Sequence, residues 1–149
     1  MDLLTHGLLG ATLAQATYSR RLGYKSLVVG AIAAMVPDMD MVVRFFGGIL
    51  SEFKYHRSLT HSFWFGPVVA WFMSLYLHRK YSTKRWDWFW LITLVILSHP
   101  FLDICTSYGT QFFYPFHTMR VRWNIISIID LGFTPILIIT LMVGYFFSK

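Results

Sequence analysis

His56-Arg57-Ser58-Leu59-Thr60-His61-Ser62 runs straight into residues 63–77, a stretch dominated by Phe, Trp, Val, Leu and Tyr. Taken together, residues 59–77 come close to the roughly 20 residues that carry a helix across a bilayer. Two imidazoles therefore stand at the mouth of a span. Neutral imidazole is a common metal ligand, and ionisable side chains at membrane depth are functional candidates by default. Fold and function both turn on whether the rest of the chain supplies further spans and further ligands.

The 149-residue chain is 56% hydrophobic, 19% aromatic and only 13% charged. That is more apolar and less charged than soluble domains are, so an all-α, polytopic membrane protein with a single domain over residues 1–149 is expected. Cys105 is the only cysteine, which excludes an intramolecular disulfide and a Cys-based zinc motif. No internal repeat or low-complexity segment is present. Leu13-Ala14-Gln15-Ala16 looks a little like a signal-peptidase site, but Asp2 precedes the apolar run and the positive charges follow it. A signal peptide has the reverse order, so the first run is expected to stay.

About five membrane helices follow, some short or kinked. Residues 3–18, with Asp2 or Thr5 as the cap, make a first and rather short one. Residues 26–36 make a second, ended by Pro37 because the residue before a proline avoids the α region. Residues 41–50 contain Arg44 and Gly47-Gly48 and read as a partial helix entering a loop. The third helix covers residues 59–77, and Trp86, Trp88 and Trp90 after the basic turn 78–85 form an interfacial belt. Residues 88–103 make the fourth helix, 105–124 a long aromatic loop, and 128–147 the fifth helix.

Alternating spans sort the charges. Arg20, Arg21, Lys25, Arg79, Lys80, Lys84, Arg85 and Lys149 fall on one side with the single anion Asp87. The other side holds Arg44, Lys54, Arg57, Arg120 and Arg122 against Asp2, Asp38, Asp40, Glu52, Asp103 and Asp130. Lysine and arginine bias places the first side in the cytoplasm, so the N-terminus is expected outside and the C-terminus inside. On the same map His6, Asp38, Asp40, His56, His61, His99, Asp103, His117 and Asp130 all reach the outer level, and His78 alone of the histidines lies inside. Five helix ends at one level make a cup.

His99 and Asp103 are four apart, one helical turn of about 5.4 Å, so both can reach one ion. Pro100 between them removes the partner of the Ile96 carbonyl, which suits a helix lining a wet cavity. A plain His–Asp staple at the helix end is the structural alternative. Asp38 and Asp40 would not share a face in a regular helix, so one is expected as ligand and the other as a turn or capping residue. Of His56 and His61 one is expected to stand behind the ligands, with Ser58 or Thr60 capping the helix, and His6 has the alternative of an ordinary hydrogen-bonded helix residue. A His/Asp set without cysteine suits zinc, with manganese or iron as alternatives. Arg57, Arg120 and Arg122 break the charge rule, and arginines beside a metal can hold a phosphate, Glu52 or lipid headgroups being competing partners.

Thr5-His6-x-x-x-Gly10, Pro37-Asp38-x-Asp40, His56-Arg57-Ser58-x-Thr60-His61-Ser62, Ser98-His99-x-x-x-Asp103 and Tyr108-Gly109 through Tyr114-Pro115-Phe116 together resemble the YdjM-type family of inner-membrane, metal-dependent hydrolases. Met41 stands where many relatives carry a histidine after the second aspartate. More distantly, the order of His, Asp, His and His-x-x-x-Asp is similar to the all-α superfamily of zinc-dependent phospholipases C and single-strand nucleases. That resemblance implies one metal site from Asp38 or Asp40 with His61, His99 and Asp103, and a second from His6 with Asp103. The superfamily's amino-terminal tryptophan and its later His-x-x-x-Glu are absent, which argues against three metals.

The function expected from these residues is hydrolysis of a lipid or lipid-linked phosphoester at the outer face of a bacterial-type inner membrane, with no nucleic-acid partner. The expected metal ligands are His6, Asp40, His61, His99 and Asp103, holding one or two zinc-type ions; Asp38, His56 and Arg57 are expected in catalysis, as base or substrate contact. One rival is a metal-independent lipid phosphatase using His-x-x-x-Asp, which would want an upstream arginine that residues 91–98 lack. The other is a non-catalytic metal-binding transport or regulatory module.

Overall fold

A computed structural model describes residues 1–42, 57–127 and 132–147. Its five α-helices are α1 Leu3–Leu22, α2 Lys25–Met35, α3 Phe65–Tyr81, α4 Arg85–Ile104 and α5 Phe133–Phe147. Short 3-10 helices at Pro37–Val42 and Leu59–His61 stand between α2 and α3. The one β pairing among the described residues is an isolated antiparallel bridge between Thr110 and Val121. The all-α expectation holds; the helix bounds shift.

Local chemistry sets the ends. Asp2 is the N-cap of α1, its carboxylate accepting from Thr5 N–H at 3.0 Å and from the Thr5 hydroxyl at 2.6 Å. Gly23 ends α1 at φ +68°, a conformation costly for residues with a Cβ, and two residues later α2 begins antiparallel. Here the packing is tight. A Cβ on Gly10 would stand 2.4 Å from the Gly30 carbonyl oxygen, and one on Gly30 would stand 2.6 Å from that of Gly10. The backbones touch because nothing intervenes. Ala14, Ala33 and Ala34, all essentially inaccessible, continue the small-residue seam.

Helix α4 is the central stave. Trp88, Leu91, Ile92, Val95 and Ile96 are at most 1% exposed, one stripe at i, i+3, i+4, i+7 spacing. The same stripe continues into His99 and Asp103, both fully buried, so core and polar residues share one face. Pro100 lies inside the helix, which still runs to Ile104. The carbonyls at its end are met from the following loop, by Trp123 N–H on Ile104 at 2.7 Å and Ile125 N–H on Cys105 at 2.8 Å. Trp88 was expected at the interface with Trp86 and Trp90; instead it is buried, its indole N–H donating to Thr83 Oγ1 at 2.6 Å.

One expectation needs correction. The third helix begins at Phe65, not residue 59, because residues 59–61 tighten into a 3-10 turn that carries His61 inward. Five α-helices are present among the described residues, and α4 alone of them is long and apolar enough to cross a membrane. The 11-residue α2 is only about 16 Å long at 1.5 Å per residue; the 15-residue α5 is apolar but short. The outward faces are nevertheless apolar, with Val28 and Ile32 on α2, Phe72 and Tyr76 on α3, Leu94 on α4 and Ile139 and Phe146 on α5 all exposed. The partial helix expected at residues 41–50 falls mainly outside the described residues.

The α1–α2 seam gives a prediction. Gly10→Val should force the helices apart and cost roughly 1–3 kcal/mol, lowering the thermal midpoint of the detergent-solubilised protein. Gly7→Ala, whose Cβ would meet Met35 Sδ at an ordinary 3.5 Å, should leave it unchanged. Equal midpoints for both variants would contradict the seam.

Candidate metal centre

Five side chains converge at one end of the bundle: His6 from α1, Asp38 from the turn after Pro37, His61 from the second 3-10 turn, and His99 and Asp103 from α4. His6, His61, His99 and Asp103 are at most 1% exposed and Asp38 is 9% exposed. Two three-residue groups bring their donor atoms together, His6 with Asp38 and His99, and His61 with His99 and Asp103.

Hydrogen bonding fixes which imidazole nitrogens face the centre. His99 Nδ1 lies 2.6 Å from the Ala34 carbonyl oxygen, an acceptor only, so Nδ1 carries the proton and Nε2 offers a lone pair. Thr60 donates its hydroxyl to Asp40 Oδ2 at 2.6 Å. Its oxygen is then left to accept from His61 Nδ1 at 3.0 Å, with Asp40 Oδ2 a further 3.5 Å from that nitrogen. His61 Nε2 therefore also faces inward, 3.1 Å from His99 Nε2. Two lone pairs at that separation repel unless a cation or a proton stands with them.

Carboxylates complete the set. Asp38 Oδ1 is 3.4 Å from His99 Nε2 and 3.6 Å from His61 Nε2. Asp103 Oδ2 is 3.5 Å from His61 Nε2 and 3.6 Å from His99 Nε2, yet it is buried with no hydrogen-bond partner among the described residues. Its other oxygen is crowded: the Met1 amino group bonds to it, Arg57 Nη2 is 3.3 Å away and His6 Nε2 3.4 Å away. His6 stacks on His99 with ring centroids 3.5 Å apart, and neither of its nitrogens has a hydrogen-bond partner among the described residues. Burial alone would raise the pKa of Asp38, but the neighbouring imidazoles of His61 and His99 outweigh it and hold the carboxyl well below the usual range. Burial would lower that of His61, but the surrounding Asp103, Asp38 and Asp40 push it up to about 9.

The structure thus separates the aspartates differently from the sequence expectation. Asp38, expected as a base, stands with the imidazole Nε2 atoms; Asp40, expected as a ligand, stands behind His61 on its Nδ1 side. Arg57 is at the centre as expected, with φ +62° and its N–H bonded to Asp40 Oδ2 at 3.0 Å. His56 and Asp130 lie outside the described residues. His117 is exposed, accepting from Met119 N–H. His78 binds the Thr83 carbonyl in the turn between α3 and α4. The sequence expectations did not include the Ala34 carbonyl, which no side-chain motif can signal.

Comparison with known proteins agrees with the motif pattern. The YdjM inner membrane protein family matches residues 1–148. Protein YfhP of Bacillus subtilis (strain 168) is 30% identical over 142 residues, 87% of this chain but 42% of YfhP, so the chain spans about two fifths of that relative. Inner membrane protein YbcI of Escherichia coli (strain K12) is 28% identical over 131 residues, 85% of this chain and 75% of YbcI. No solved structure matches. With the match extending from the first residue to the last but one, the chain belongs to the YdjM inner membrane protein family.

Proposed function

We propose that this inner membrane protein is a metal-dependent hydrolase that binds one or two zinc-type ions, manganese or iron being chemical alternatives, and cleaves a lipid or lipid-linked phosphoester. The supporting observation is the donor set itself. Zinc with ligands at about 2.0–2.1 Å in a tetrahedron needs donor atoms roughly 3.3–3.4 Å apart. His61 Nε2, His99 Nε2, Asp38 Oδ1 and Asp103 Oδ2 have five mutual separations between 3.1 and 3.6 Å. The unpaired buried oxygen of Asp103 is the atom such an ion would satisfy. His6, against Asp103 and Asp38, marks the place of a second ion.

Within this reading the chain's own groups have distinct tasks. The Ala34 carbonyl and the Asp40–Thr60 pair hold the two imidazoles in the tautomer that ligates. When bound, the ion supplies Lewis acidity and an ionised water near neutral pH. Asp38, at the exposed edge of the cluster, is the group placed to take a proton if it does not ligate. A cavity of about 500 Å³ walled by Leu9, Leu13, Leu94, Leu97, Phe101 and Phe133, with Ser98 and Leu102 in the same wall, suits an acyl chain beside the His99–Asp103 turn. The apolar outward faces of α2 to α5 favour embedding of the bundle, and in this reading the lysine and arginine bias puts the N-terminus and the site on the outer side and the C-terminus in the cytoplasm.

A second reading is favoured by one specific observation: His61, His99, Asp38 and Asp103 offer four protein donors with five mutual separations of 3.1 to 3.6 Å, enough to fill the coordination of one zinc ion as in a structural site, which would make the protein a non-catalytic metal-binding module. Elemental analysis of the purified protein separates the possibilities when joined to a lipid-phosphoester turnover assay. His99→Ala and Asp103→Asn should lose the metal, whereas Asp40→Asn should keep it with affinity reduced about 10- to 100-fold. Unchanged metal in the first two variants would sink the site. A saturated ion with no turnover would leave the non-catalytic module.

Proton linkage supplies a further check. His61, pushed up to about 9, carries a proton at neutral pH that an ion must displace, so zinc affinity should fall about tenfold per pH unit as pH drops from 8 to 6. Calorimetric titration in buffers of differing ionisation enthalpy at pH 7 should show about one proton released per ion. Zero release would remove His61 from the ligand set.

A further inference from the structure

The loop of residues 105–127 has its polarity inside out. Thr106 and Thr110 are fully buried, whereas Phe116, Met119, Trp123 and Ile125 are 59–77% exposed. The turn before α3 adds Leu59 and Trp64, both at least half exposed, and the Trp64 ring meets that of Phe116 with centroids 6.4 Å apart. Single exposed apolar residues are ordinary on a protein in water, but a concentration of large ones marks a surface that something else covers.

The loop is held in this arrangement by its backbone. Phe63 N–H donates to the Phe112 carbonyl at 3.1 Å and Gln111 N–H to that of Arg57 at 3.0 Å. Thr110 and Val121 exchange hydrogen bonds of 3.1 and 2.9 Å. Gly109 makes that bridge fit: it sits at φ +68°, and a Cβ there would lie 2.5 Å from the Val121 carbonyl oxygen. At the far end Trp123 N–H and Ile125 N–H are bonded to the carbonyls of Ile104 and Cys105.

Helix α4 sets the depth. Its 20 residues run about 30 Å at 1.5 Å per residue, the thickness of a bilayer's hydrocarbon core. Ile104, the last of them, then stands at the edge of that core, and Trp123 and Ile125 are bonded at the same level. Trp64 belongs there too, because it directly precedes α3, which packs antiparallel to α4. Tryptophan is the residue enriched at that boundary. Charge agrees: no Asp or Glu occurs between Asp103 and Asp130, while Arg120 and Arg122 lie among the aromatics, Arg122 exposed. A surface with cations and no carboxylates is complementary to lipid phosphates.

We propose that residues 105–127 form a platform docked in the lipid headgroup layer, with Phe116, Met119, Trp123 and Ile125 reaching the acyl chains. The partner of this surface is the bilayer itself. The proposal rests on the embedding of the bundle proposed above and not on a metal or on turnover. Gln111 is bonded to Arg57, whose Nη2 is 3.3 Å from Asp103, so the platform borders the His/Asp cluster and an amphiphile reaches that cluster sideways, from the headgroup layer.

Nitroxide accessibility on the full chain in phosphatidylcholine–phosphatidylglycerol nanodiscs tests this. In a Cys105→Ser background, labels at Phe116→Cys and Met119→Cys should be more accessible to oxygen than to a water-soluble nickel chelate, about 5–10 Å inside the phosphates. A label at Phe72→Cys, on the exposed face midway along α3, reports embedding of the bundle separately. If Phe116→Cys fails to fold, Met119→Cys carries the test alone. Loop labels open to the nickel chelate while the Phe72 label is in lipid would overturn the platform and leave the embedding intact. Loop labels shielded from both reagents would mean that a protein or a second copy covers the patch, which also overturns it. A Phe72 label open to the chelate would sink the embedding and the platform with it.

Discussion

Asp103 is fully buried and, among the described residues, bonded through only one of its oxygens, and the other faces two imidazole nitrogens whose protons are committed elsewhere. An arrangement of acceptors with no donor among them is repulsive in a low-dielectric interior. Positive charge has to enter, as a proton on His61 or as a metal ion. Much of the surrounding structure serves to keep that demand from being relaxed. The Ala34 carbonyl stops His99 from turning its N–H inward, and Thr60 with Asp40 does the same for His61. Were either imidazole free to flip, the cluster would satisfy itself and lose its affinity for a cation.

Such precision needs a stiff frame, and the frame is built of absences. Gly10 against Gly30, with the alanines that follow, lets α1 and α2 touch backbone to backbone. That contact carries the Ala34 carbonyl to His99 and stacks His6 on the same ring. Close backbone packing through small residues is how helices associate where lipid removes the hydrophobic incentive. On α4, the stripe that packs Trp88 to Ile96 also aims His99 and Asp103, so a change in core packing is transmitted directly to the donors.

Some of this was legible in the sequence because it obeys a period. His99 and Asp103 share a helical face by spacing alone, and the sorting of polar residues to one end followed from the order of charges. Asp38 and Asp40 were not resolvable. After Pro37 the chain enters a 3-10 turn, and which carboxylate meets His99 is decided by where His61 and Thr60 arrive from elsewhere in the chain. The start of the third helix was misread for a related reason: Ser58 and Thr60 look like caps, but the Thr60 hydroxyl is spent on Asp40. Membrane character was plain from composition. Helix length was not, since apolar content does not reveal that α2 and α5 are short.

All five convergent donors lie between residues 6 and 103, and α5 contributes none of them. It is tied to α1 by the hydroxyl pair Thr5–Thr134 and by Gln15 on the Leu141 carbonyl. During synthesis all five side chains are therefore present in the chain before α5 emerges from the ribosome. Assembly of the His/Asp cluster and the docking of the last helix are separable events in biogenesis, and a chain truncated before residue 133 would retain every donor while exposing the flank of α1 that α5 covers.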